Sequence, residues 1–191
     1  MGLFIAGLAI FLGIHSVGIF APAWREAQIA QRGALAWKGL YSVVSIVGFA
    51  LLIYGYGLAR QSPVILYSPP AMLRHIALAL MLPVFPLFLA AYLPGRIKTA
   101  VKHPMLLSVK IWATAHLLAN GTLVDVLLFG AFLVWAVLDR IAAKRRPVAR
   151  TVQGAPPAAY NDVIAVVGGL ALYAAFLMGV HLWLIGVSPL H

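Results

Sequence analysis

Six runs of apolar residues, joined by mostly short polar connections, constrain this chain more than any other feature. They extend approximately from Leu3 to Ala21, Leu40 to Leu58, Met72 to Leu93, Pro104 to Ala119, Leu123 to Leu138 and Val163 to Ile185. A bilayer's hydrocarbon core is about 30 Å thick, and roughly 20 apolar residues of helix cross it. In that medium a helix satisfies its own backbone hydrogen bonds, whereas an open sheet edge does not. The expected fold is therefore all-α: a polytopic transmembrane helical bundle of about six spans, with residues 1–191 forming a single integral membrane domain. Composition agrees. Of 191 residues, 63% are hydrophobic and 9% are charged, with a mean hydropathy of +0.99; a soluble domain carries about 25% charged residues. The first run lacks a basic leader and a small-residue cleavage signal, so it is expected to be a retained helix. The fourth and fifth runs are short and are expected to tilt or to be shielded by protein. Pro83 and Pro86 predict a kink in the third span, since each removes a backbone donor and crowds the preceding turn. Pro104 suits the first turn of a helix, where a missing N–H costs little.

Charge predicts the orientation. The connection after the first span holds Arg25, Arg32 and Lys38. That after the third holds Arg96, Lys98 and Lys102, with Lys110 just inside the fourth span. That after the fifth holds Arg140, Lys144, Arg145, Arg146 and Arg150. Twelve of the 14 Lys and Arg thus fall on one side, and Arg60 and Arg74 on the other. By the positive-inside rule the basic side is cytoplasmic and both termini face the outer, periplasmic side. The segment at about 143–161, rich in Lys, Arg, Pro and Ala, is expected to be a flexible basic cytoplasmic loop. Multi-pass placement in a bacterial inner membrane follows as the expected localisation. The net charge of +10 belongs to this asymmetry and to contact with anionic lipid, so nucleic acid is not an expected partner.

The chemistry rests on few residues. There is no cysteine, which excludes disulfides, thiolate metal sites and cysteine nucleophiles. The four carboxylates, Glu26, Asp125, Asp139 and Asp162, lie outside the middle of any span. No H-E-x-x-H spacing and no Walker or Rossmann glycine pattern occurs. Hydrolysis, which needs a nucleophile, a base and an orienting group within reach, is poorly supported. What stands out is Lys102 to Gly121, which carries His103-Pro104, Lys110, Trp112, His116 and Asn120 in or beside one span. Ionisable groups at membrane depth are costly and mark candidate sites.

His15 is expected roughly 10 Å, and His116 roughly 18 Å, in from the cytoplasmic side. Two imidazoles about 8 Å apart in depth are compatible with the opposite axial positions of a haem iron. Lys110 reads either as a side chain snorkelling to the surface or as the partner of a haem propionate, phosphate or carboxylate. His181, beside Trp183, reads as an interfacial anchor. Asp125 and Asp162, near span ends, need no special role.

The segments LGIHSV around His15, WKGLYSVVSIVGFALLIYGY from Trp37, KHPMLLSVKIWATAHLLANG and GVHLWLIGVSP around His181 resemble the NnrU family of integral membrane proteins. That resemblance implies a role in denitrification, supporting nitrite and nitric oxide reductases or their maturation machinery as partners. The family in turn resembles plant 15-cis-zeta-carotene isomerase, a membrane enzyme with histidine-ligated haem b. Its His-Ser and W-x-x-A-H signatures correspond to His15-Ser16 and to Trp112, Ala115 and His116. The resemblance implies haem b held by His15 and His116, with Lys110, Asn120, His103 and Trp112 around the cofactor. The isomerase carries a cysteine where this chain has Ala113, so thiolate ligand exchange is unavailable here. A second resemblance, to isoprenylcysteine-type membrane methyltransferases and nurim, rests on Lys102-His103-Pro104 followed by Asn120. It implies S-adenosylmethionine binding, but the paired glutamates of those enzymes are missing.

The leading expectation is a haem-binding membrane protein acting in nitrogen-oxide metabolism as a redox or nitric-oxide-responsive component, with an isomerase-like enzyme activity left open. The alternatives are a non-enzymatic assembly partner of a respiratory reductase and a methyltransferase-like protein.

Overall fold

The computed structural model describes residues 1–145 and 154–190. The regular structure of the described residues is helical, with an isolated antiparallel bridge between Ile65 and Thr122. In chain order the helices are α1 (Gly2–Phe20), α2 (Pro22–Arg32), α3 (Ala34–Ala59), α4 (Ala71–Met81), α5 (Val84–Tyr92), α6 (Arg96–Val101), α7 (Pro104–Ala119), α8 (Leu123–Arg145), α9 (Asn161–Ala175) and α10 (His181–Ile185). A kinked segment, Phe176–Val180, with Gly179 in non-helical geometry, joins the last two.

Five stretches are long and apolar enough to cross a membrane: Gly2–Phe20, Ala34–Ala59, Ala71–Tyr92, Leu123–Arg145 and Asn161–Ile185. The sixth expected span, Pro104–Ala119, is helical over 16 residues. At 1.5 Å per residue it rises about 24 Å, short of the roughly 30 Å of hydrocarbon. Two other spans are longer than the apolar pattern indicated. α3 begins six residues before Leu40, and α8 continues through Asp139 and Arg140 to Arg145, because charged ends beyond the hydrocarbon still propagate a helix. The basic connection after α1 is itself the amphipathic helix α2, whose Trp24 meets Trp37 of α3 edge-on at 5.7 Å. Of the expected basic loop at about 143–161, residues 146–153 lie outside the described residues.

Contacts divide the chain into two compact units: Met1–Tyr67 with Gly121–Ala142, and Ser68–Asn120 with Ala143–His191. In the first, α1 and α3 pack backbone to backbone. A Cβ added at Gly7 would meet the Leu52 backbone, one at Gly48 the Phe11 backbone, and one at Gly55 the Phe4 backbone. Without a hydrophobic force between helices in lipid, such close approach of small residues provides the packing energy. Phe4, Leu52, Ala59 and Val124 form its core, with Leu8, Tyr56, Leu128 and Phe132 against them. Gly121 is pressed to the Tyr67 carbonyl and accepts the N–H groups of Leu66 and Tyr67.

The second unit is built from interrupted helices. The expected kink is present: α4 ends at Met81, and α5 starts at Val84 after Leu82 and Pro83. Gly169 of α9 packs on Pro86, and Tyr173 donates to the Leu78 carbonyl at 2.9 Å. Ser108 of α7, 3% exposed, donates to the Val84 carbonyl at 2.9 Å. Asp162 accepts the first backbone N–H groups of α6, from Arg96 at 2.8 Å and Ile97 at 3.0 Å. Asn161, 1% exposed, donates to the carbonyls of Pro94 and Pro156.

Candidate functional site

The sequence-predicted residues fall in both units. His15 belongs to the first. Its Nδ1 lies 2.7 Å from the Phe11 carbonyl one turn back. A carbonyl only accepts, so Nδ1 carries the proton and Nε2 is the basic nitrogen. Aromatic rings surround it: Phe11 at 4.3 Å, Tyr41 at 5.2 Å and Trp135 at 6.1 Å between centroids, the last edge-on. Among the described residues, two buried side-chain atoms have no hydrogen-bond partner: Trp135 Nε1 and Ser45 Oγ. The antiparallel register of α1 and α3 puts Ser45 opposite Ile14, next to His15. A shallow groove of about 480 Å³, lined by residues including Leu12, Ser16, Gly130 and Trp135, opens along α1 and α8.

His116, Trp112 and Asn120 belong to the second unit and share one face of α7. His116 Nδ1 lies 2.8 Å from the Trp112 carbonyl, the same arrangement one turn back as at His15. The two rings lie 5.2 Å apart, and Asn120 Nδ2 donates to the His116 carbonyl at 2.9 Å. Lys110 is not on this face: six residues at 3.6 per turn separate it from His116 by about 120° around the helix. His103 precedes α7, and its carbonyl accepts the Leu107 N–H. Lys102, before it, has φ 65° and ψ −43°, with the His103 N–H bonded to the Val101 carbonyl at 2.8 Å. That is a three-residue γ-turn of the rare, strained hand.

Sequence reasoning missed two features. His181, read as an anchor, has its ring 6.5 Å from that of His116, with the planes 23° apart. Asp125, read as incidental, is 6% exposed and accepts Tyr56 Oη–H at 2.5 Å and Thr122 Oγ1–H at 2.6 Å, while Arg60 lies over the Tyr56 ring. The Thr122-x-x-Asp125 spacing at the start of α8 was the available signal, since it is a capping pattern. For His181 the nearby Gly179 and Gly186 were the signal.

A family model described as NnrU protein matches residues 3–189. The chain belongs to the NnrU family. No curated protein and no solved structure matches it. Family and fold together make this NnrU chain an all-α membrane protein with several bilayer-length helices.

Proposed function

We propose that this NnrU protein binds haem b in a bacterial inner membrane and serves nitrogen-oxide metabolism as a redox or nitric-oxide-responsive component. His116 and His15, one in each unit, are each candidate imidazoles for iron. The observation that carries this reading is the shared presentation of the two rings. Each Nδ1–H is donated to a backbone carbonyl one turn back, which fixes the tautomer and makes Nε2 the ligating nitrogen. That is the outer support found behind metal-bound histidines. Family membership supports the nitrogen-oxide connection. Haem iron would supply reversible one-electron chemistry and an affinity for diatomic ligands. The chain's part is to orient the imidazoles and to set aromatic side chains against them. Trp112 and Asn120 flank His116, and Trp135 contributes an indole N–H near His15.

The same reading includes six crossings, with Pro104–Ala119 as the sixth, the basic connections in the cytoplasm and both termini outside. It leaves Lys110 and His103 as candidates for a propionate contact. The test is the absorption spectrum of the full chain purified from haem-replete cells. A Soret band that is lost or shifted in His116→Ala is the expected result; a colourless wild-type preparation refutes the proposal.

A further inference from the structure

His181 is oriented by more than its own rotamer. Just before it the chain is kinked within Phe176–Val180, where Gly179 leaves helical geometry at φ 162° and ψ −21°. After it, α10 lasts only to Ile185 and ends at Gly186, whose φ of 78° is a left-handed cap that favours glycine. The chain then turns back so that the Val187 carbonyl lies 2.6 Å from His181 Nδ1. Trp183, two residues on, is 82% exposed and has the outward position of an interfacial anchor. A surface anchor needs neither the kink nor the carbonyl behind the ring.

His116 is held in the same way by the Trp112 carbonyl, so in both rings Nδ1 carries the proton and Nε2 is the basic nitrogen. A metal–imidazole bond of about 2.0–2.1 Å, with roughly 1.1 Å more from nitrogen to ring centre, separates two trans imidazole centres by about 6.2–6.4 Å. The centroids of His116 and His181 are 6.5 Å apart and the rings are near parallel, at 23°. The number of donors indicates the kind of metal. The pair offers two imidazole donors, whereas a bare zinc ion takes three or four protein ligands. An iron porphyrin brings four in-plane nitrogens of its own and asks the protein for two axial ones.

We propose that His181 is an axial ligand, paired with His116 on one porphyrin iron. This rests on the haem reading above for the identity of the metal, and it gives His116 a partner within its own unit.

The test is the absorption and electron paramagnetic resonance of the oxidised full chain in detergent, for the wild type, His15→Ala, His116→Ala and His181→Ala. The expected result is that His181→Ala retains haem, loses the low-spin signal of a bis-imidazole iron and recovers it on addition of free imidazole, while His15→Ala keeps that signal. His181→Met, which retains an axial donor, covers the case in which the alanine variant does not fold; it is expected to stay low-spin with a shifted spectrum. A low-spin signal unchanged in His181→Ala, or a spectrum unchanged in His181→Met, overturns the assignment and leaves the haem reading standing. A wild type without a Soret band overturns both.

Discussion

The two units solve the same packing problem in different ways, and the difference coincides with where their polar groups lie. In the first unit α1 and α3 run unbroken for 19 and 26 residues and touch through Gly7, Gly48 and Gly55. Regular helices satisfy their own backbone, so apart from the Asp125 network this unit spends few side chains on carbonyls. In the second unit the helices break at Pro83, at the γ-turn around Lys102 and at the kink before His181. Around Pro83, Tyr173 and Ser108 bond to the carbonyls of Leu78 and Val84, and where α6 begins Asn161 and Asp162 bond to the Pro94 carbonyl and the Arg96 N–H. Irregular backbone at membrane depth is tolerated where protein covers it, and here it also orients imidazoles. His15 gains its position from a regular helix and a ring of aromatics. His181 gains its position from two backbone distortions.

If the first unit depends on glycine contact, filling that contact is the largest perturbation available. A Cβ at Gly7 would fall 2.2 Å from the Leu52 nitrogen, whereas one at Gly13 would meet nothing within 4 Å. Gly7→Ala is expected to destabilise by about 1–3 kcal/mol or more, the usual range for overpacking. Gly13→Ala, on the same helix, is expected to stay within about 0.5 kcal/mol of wild type. Thermal unfolding of the two variants in detergent measures the contrast. Equal stability of the two would mean that α1 and α3 do not pack as described.

The next perturbation probes the polar exception in this otherwise apolar unit. Tyr56→Phe removes the hydrogen bond to Asp125 and leaves the buried carboxyl dependent on Thr122. Leaving a buried polar group short of a partner costs about 1–3 kcal/mol. The same unfolding assay should show that loss, with a smaller one in Thr122→Ser, which keeps the hydroxyl. A Tyr56→Phe protein as stable as wild type would show that Asp125 finds another donor.

Much of this architecture is legible in the chain. Apolar runs locate the spans because lipid demands long helices, and Pro83 locates the break because a missing N–H acts locally. Pro104 marks the start of α7 for the same local reason. The limits are equally physical. Span ends at Lys38 and Asp139 are misplaced because helix continues into charged residues once the hydrocarbon is passed. α2 is hidden by reading its arginines only as loop charge. His15 and His116 are found from their depth in apolar sequence, but what each ring faces depends on helix rotation and on contacts distant in sequence. The His116–His181 approach is of that kind: 65 residues separate the pair, and a kink at Gly179, which hydropathy does not encode, precedes the second ring. Asp125 was misread because a position near a span end says nothing about the Tyr56 hydroxyl that reaches it.

The smallest expected effect separates strain from function in the second unit. Lys102 is the one non-glycine residue with positive φ among those described, at 65°, and its γ-turn carries the chain from α6 into His103 and α7. A side chain in this conformation is strained by about 1–3 kcal/mol, whereas glycine adopts it freely. If the turn serves only to connect two helices, Lys102→Gly relieves the strain and gains back part of it, offset by the greater freedom of glycine in the unfolded chain. The net change is then expected to be a gain of about 1 kcal/mol or less, read as a small rise in the midpoint of thermal unfolding. If the lysine side chain also holds His103 and the start of α7 in place, the same substitution lowers the midpoint despite the relieved backbone. The sign of a small shift therefore decides whether this irregularity is a connector or, like the kink before His181, an element that positions side chains.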